Sequence, residues 1–140
     1  MLDKIFPKIH SEGYKFLVIF SVLTIILYLI HGFLGFVGFV LTIWVYYFFR
    51  DPDRISIEDD NYLTSPADGL VLQVIETEGP KELGLENKKF TKVSIFMNVF
   101  DCHVNRTPCS GKISQILYQP GKFINASLDK ASEENERNYY

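Results

Sequence analysis

The chain has too little cysteine, too little clustered positive charge and too few clustered ligand types for several common protein classes. Its two cysteines, Cys102 and Cys109, lie seven residues apart. That is not a zinc spacing, and a lone pair does not make a disulfide framework. Both are expected to be reduced if the globular part faces the cytoplasm. No metal site is expected. Lys and Arg number 14 against 17 Asp and Glu, for a net charge of −3, and no basic run occurs. Nucleic acid is therefore not an expected partner. Positive charge is absent between Phe16 and Phe49, and none of the nine glycines is followed by serine. At 140 residues the chain has room for one small domain and a membrane segment.

The region free of charge is also apolar and aromatic. Tyr14 to Phe49 is interrupted only by Lys15 at its start and by His31-Gly32 in its middle. That is too long for one ordinary spanning helix. Gly32 is where a turn would cost least. Two helices, at about 14–30 and 33–49, would each be about 25 Å long, at the short end for a bilayer core of about 30 Å. The sequence thus predicts a transmembrane helical hairpin over 1–49, with Gly32, Gly35 and Gly38 letting its helices approach closely. A single long tilted helix is the alternative. A cleaved signal peptide is not expected, because the run is too long and no small-residue cleavage site follows it. Lys4, Lys8, Lys15, Arg50 and Arg54 flank the outer ends, which by the positive-inside rule face the cytoplasm. Trp44, Tyr46 and Tyr47 suit the interface belt.

Beyond Arg50-Asp51-Pro52-Asp53-Arg54 the pattern changes. Residues 50–140 read as short strands and turns, which predicts a mainly-β domain resembling an antiparallel sandwich or barrel. Strands are expected at Gly69–Glu76, Phe90–Val99 and Lys112–Tyr118, the last closed by Pro120-Gly121. His103–Thr107 is expected to be extended. The acidic stretch Asp129–Arg137 reads as a solvated, disordered end.

The candidate chemistry gathers at the end of the second strand. The stretch Val93–Gly111 begins with alternating apolar residues and then presents Asp101, Cys102, His103, Asn105 and Arg106. Among these residue types only histidine ordinarily titrates near neutral pH, so His103 is the natural proton carrier. Arg106 offers a planar cationic fork for a carboxylate or phosphate. Cys102 beside His103 is weak support for a nucleophile, because such partners meet in space rather than by adjacency. In Ser65-Pro66-Ala67-Asp68-Gly69 the residue types suit a plain turn. The alternative is that Asp68 orients a histidine, as carboxylates do in hydrolytic triads.

Several blocks then occur in one order: Phe48-Phe49-Arg50-Asp51-Pro52, Ser65-Pro66-Ala67-Asp68-Gly69, the His103 segment, Tyr118-Gln119-Pro120-Gly121-Lys122-Phe123, and Lys130 to Arg137. The series resembles the phosphatidylserine decarboxylase proenzymes in their short, membrane-anchored bacterial form, over nearly the whole chain. The resemblance implies decarboxylation of phosphatidylserine to phosphatidylethanolamine through a pyruvoyl Schiff base. It also implies a proenzyme that cuts itself at a Gly-Ser bond, the new amino terminus becoming the pyruvoyl group. The chain would be the β-chain portion, partnered by a pyruvoyl-bearing α chain at the inner membrane, with its globular part cytoplasmic. Asp68 would then serve self-cleavage. The long form has two histidines three apart, where this chain has His103 and Arg106. His103 matches the one tied to decarboxylation, and whether it also serves as the base for cleavage is left open. Arg106, Lys122 and Asn125 are the candidate substrate-binding groups, with Arg50 a further cation within reach.

Without a Gly-Ser dipeptide the reactive serine is expected beyond Tyr140. The β-rich domain is expected to be incomplete at its C-terminus, as in a truncated product, and inactive alone. Two rival readings stand. Leu128-Asp129-Lys130-Ala131 resembles the turn of lipoyl domains, which would make Lys130 a carrier of a cofactor arm. The other is a membrane-anchored binding module without catalysis, as a degenerate or truncated decarboxylase would become.

Overall fold

Residues that are apolar on every side, with no Pro and few β-breaking signals, have one economical conformation away from water, the helix that satisfies its own backbone. In the computed structural model, which describes residues 6–57, 59, 61–126 and 134–140, the apolar run forms two such helices. Helix α1 is Gly13–Ile30 and helix α2 is Gly32–Phe48. Both expose large apolar side chains around their circumference, Leu29 by 78% and Phe33 by 66%. A helix apolar all round, left uncovered by protein, calls for a non-aqueous surround. At 18 residues, α1 is long and apolar enough to cross a membrane; α2, of 17 residues, is a shorter apolar helix.

The break between them is made by His31 rather than by Gly32, which lies inside α2. His31 is extended, with φ −162° and ψ 131°. Any residue adopts that conformation, so glycine's freedom is not needed. The imidazole supplies what glycine lacks. Its Nδ1 accepts the Phe33 N–H at 3.2 Å and caps α2, while the backbone N–H of His31 closes α1 on the Leu27 carbonyl at 3.0 Å. The helices then approach where glycine permits. A Cβ added at Gly35 would lie 2.6 Å from Tyr28, and one at Gly38 would lie 2.9 Å from Thr24; Gly32 faces open space. The hydroxyls of Thr24 and Thr42 meet across the hairpin at 3.0 Å. At the other end the chain segment before α1 closes the pair. The His10 N–H donates to the Phe49 carbonyl at 2.9 Å, the Asp51 N–H to Lys8 at 2.6 Å, and Tyr46 Oη to Pro7 at 2.8 Å.

The chain divides into two compact units. One comprises Met1–Leu70 with Met97–Cys109, and the other Val71–Phe96 with Ser110–Tyr140. In the second, strand β1 (Leu70–Glu78) pairs with β2 (Lys89–Phe96) across a loop holding the 3-10 turn Lys81–Leu83. Gly84, with φ +67°, ends that turn in the left-handed region glycine tolerates. Strand β3 (Leu117–Gln119) pairs antiparallel with β4 (Arg137–Tyr139), Tyr118 opposite Asn138.

Three expectations are corrected here. The second strand stops at Phe96 rather than Val99, because Asn98 and Asp101 fold the backbone into a turn: Asp101 Oδ2 accepts the Asn98 N–H at 2.8 Å, and Asn98 Oδ1 accepts the Phe100 N–H at 3.1 Å. The third strand is confined to Leu117–Gln119 rather than spanning Lys112–Tyr118. Arg137, assigned to a loose end, is in strand β4, where an antiparallel partner satisfies its backbone. Among the described residues the strands form two two-stranded sheets. Lys130 lies outside the described residues, as does Lys4.

Candidate active site

The Asn98–Asp101 turn delivers the polar segment Cys102–Arg106 against the residues that leave α2. Four contacts tie them together. Arg50 Nη2 donates to the Phe100 carbonyl at 2.9 Å. The Cys102 thiol, in a side chain only 1% exposed, donates to the Arg50 carbonyl at 3.1 Å. Arg106 Nη2 forms an ion pair with Asp51 and donates to the Pro52 carbonyl at 2.9 Å. The His103 ring stacks on Phe48, with centroids 4.2 Å apart and planes 23° apart. Cys102 thus has the surroundings of a buried packing residue.

His103 Nδ1 lies 3.2 Å from the Asp101 carbonyl. A carbonyl only accepts, so a hydrogen bond here places the ring hydrogen on Nδ1 and leaves Nε2 as the nitrogen outside this contact. His103 lines a cavity of about 180 Å³ with His10, Phe48, Phe49, Val104 and Asn105.

Asp68 lines another cavity of the same unit, about 570 Å³, whose walls include Arg54, Ser56, Thr64, Arg106 and Thr107. The Ser65–Asp68 turn is held by Ser65 Oγ donating to the Ala67 carbonyl at 2.7 Å. It is tied to the histidine segment by the Arg106 N–H donating to the Pro66 carbonyl at 2.8 Å. Two groups of the Arg54 guanidinium engage the two oxygens of Asp68, Nε to Oδ1 at 3.3 Å and Nη2 to Oδ2. This fork holds the Asp68 carboxyl below its usual range, with the more distant Arg106 and Arg50 adding to the effect and partial burial opposing it. The same bond raises Arg54.

The structure therefore brings Asp68 and Arg106 to one cavity and gives His103 another. The carboxylate's partner is Arg54, not a histidine. Lys122 and Asn125 belong to the second unit. There Lys122 pairs with Glu134 at 2.6 Å, and Asn125 is exposed. Among the described residues no group of three or more His, Cys, Asp or Glu side chains could hold a metal ion.

Comparison with known proteins settles the family. The sequence model of the family described as "Phosphatidylserine decarboxylase" matches residues 41–140. The chain belongs to the phosphatidylserine decarboxylase family. It is 78% identical to the "Phosphatidylserine decarboxylase proenzyme" of Pelagibacter ubique over all 140 of its residues, covering 65% of that relative. It is 51% identical over 138 residues to the proteins of the same description from Ruegeria pomeroyi and Cereibacter sphaeroides, covering 63% and 60% of them. The chain thus spans less than two thirds of the length of these relatives. No solved structure matches it.

Two residues central to this geometry carried no chemical reading in the sequence. Arg54 stood only as a flanking charge. Phe48 stood only as an apolar residue near the end of the hairpin and part of a matching block. A weak signal for Arg54 was its opposite charge to Asp68, 14 positions on. Nothing local marks Phe48, because its partner is 55 residues away.

Proposed function

We propose that this chain is the β-chain portion of a self-cleaving proenzyme that decarboxylates phosphatidylserine to phosphatidylethanolamine. The observation that carries the proposal is the 78% identity, along the whole chain, to a phosphatidylserine decarboxylase proenzyme. In this reading the hairpin is embedded in the inner membrane with both outer ends cytoplasmic, and residues 50–140 supply strands that a pyruvoyl-bearing α chain completes into a sandwich or barrel. The apolar exposure of α1 and α2 supports the first point. The exposed Leu72, Val74 and Phe90 of the β1–β2 ladder support the second.

Residues 103–107 between them line both cavities of this unit, and a pyruvoyl group held along that segment would find hydrogen-bond donors for its oxygens in Arg106 and Thr107 and the ring of His103 beside them. When bound, that group supplies the electron sink that allows the bond between the serine α-carbon and its carboxylate to break. The chain's own residues do the rest. Arg106, already bonded to an acidic side chain, holds the anionic head group at the cavity wall. Asp68, kept ionised by Arg54, is a fixed negative charge for the self-cleavage step. His103, its Nδ1–H held by the Asp101 carbonyl, would give the Nε2 proton of its cationic form to the α-carbon that has lost carbon dioxide and return to the neutral Nδ1–H ring.

The test is to complete the chain with the portion of the Pelagibacter ubique relative that it does not span, and to supply vesicles of phosphatidylserine. The expected outcome is cleavage into two polypeptides and release of carbon dioxide. A chain that stays uncut and releases none overturns the proposal.

A further inference from the structure

We infer that Phe48 is a positioning residue for His103, and that the exit of α2 is a wall of the histidine site rather than a tether alone. The inference rests on the reading of His103 as the proton donor and extends it to the residue that aims the ring.

An imidazole turns about two side-chain torsions, and two constraints are needed to fix the direction of Nε2. The Asp101 carbonyl at 3.2 Å supplies one. The other is the Phe48 ring, lying 4.2 Å away and only 23° from parallel, which covers one face of the imidazole. Swinging the ring off its contact means losing that stacked area. Phe48 is itself held. It packs against Phe49 at 5.1 Å and Trp44 at 5.4 Å, and Phe49 in turn stacks on Phe16 at 4.9 Å. The backbone on both sides is fixed as well. Arg50 bonds to Phe100 before the histidine, Cys102 bonds back to Arg50 beside it, and Arg106 bonds to Pro52 after it. With both ends of the segment pinned to the residues that follow α2, the helix end sets where Nε2 points. A positioned donor misdirected by a fraction of an ångström loses rate rather than affinity.

The experiment uses the completed proenzyme in vesicles and the 140-residue chain in detergent micelles. In the proenzyme, F48L is expected to self-cleave as the parent does, to lose about tenfold in kcat and to keep KM within about twofold. F48Y and F48W, which retain a ring, are expected to restore kcat. F36L, which removes a lipid-facing ring from the same helix, is expected to change neither constant. In micelles the carbon-bound protons of His103 are expected to resonate upfield under the Phe48 ring current, to lose that shift in F48L and to keep it in F48Y. Wild-type kcat in F48L overturns the inference. So does a His103 resonance indifferent to F48L, or a kcat that F48Y fails to restore. The resonance needs neither maturation nor turnover, so it reads the stack even in a variant that does not cleave. If H103A turns over normally, the proton-donor reading fails and the positioning role for catalysis fails with it, whereas the F48L shift still shows whether the stack exists.

Discussion

The cavity of Asp68 is held together by charge, and that of His103 by rings and peptide groups. In the first, a carboxylate and a guanidinium, both more than a third exposed, face each other across a mostly polar wall. In the second, an imidazole lies on a phenyl ring beside a buried thiol. Both sit in one unit and share the segment from His103 to Thr107, yet they answer to different conditions. A pair of exposed charges weakens with salt and acid. A stack weakens when its shape is disturbed. The contrast suits a division of labour in which a fixed charge serves cleavage and an aimed ring serves proton delivery.

The largest effect should come from removing the charge. In the completed proenzyme, D68N is expected to lower the rate of self-cleavage by about 10²–10⁴-fold, read as the fraction of cut chain over time. Unchanged cleavage would remove Asp68 from the machinery and erase the contrast. Next comes shape. A Cβ at Gly13 would lie 2.5 Å from Phe49 and 2.8 Å from Ile9. G13V is therefore expected to destabilise the chain by about 1–3 kcal/mol in micelles and to disperse the His103 ring-current shift, while the Asp68 titration stays put. If the Asp68 titration moves as well, the two cavities are not separable.

Smaller still is the pair itself. The folded carboxyl of Asp68 lies below its ordinary value of 3.8, so its contribution is present at neutral pH. That contribution begins to fade as pH drops past the ordinary value and is gone below the folded one. R54A should raise the carboxyl toward 3.8, seen in its NMR titration, at a stability cost of no more than about 1 kcal/mol at neutral pH because the pair is partly solvated. Added salt should act in the same direction on Asp68 and leave the His103 resonances alone. The smallest effect is expected at Lys8–Asp53, 3.4 Å apart with side chains 78% and 88% exposed. K8A should leave the thermal midpoint unchanged.

How far the sequence reached follows from what periodicity encodes. A long apolar run flanked by charges and broken once at His31-Gly32 places two helices and their ends to within about a residue, because transfer from water depends on composition. The β1 strand was legible as a short apolar run between the Ser65–Gly69 turn residues and a charged loop. The residue that breaks the hairpin was not, since the choice of His31 over Gly32 depends on a cap made by a ring nitrogen. The β3–β4 ladder joins residues about 20 positions apart through backbone groups that every residue carries, so no side-chain pattern announced it. At the candidate site, residue types and order exposed Asp68, His103 and Arg106 as chemistry. They did not reveal who holds whom. Arg54 on Asp68, Asp51 on Arg106 and Phe48 on His103 are pairings made by tertiary closure.

The division between the two cavities is tested most directly by H103A in the completed proenzyme, with cut chain and released carbon dioxide measured in the same vesicles. The account predicts two polypeptides, as in the parent, and almost no carbon dioxide. An H103A chain that remains a single uncut polypeptide would contradict it, because His103 would then serve the step assigned to the cavity of Asp68.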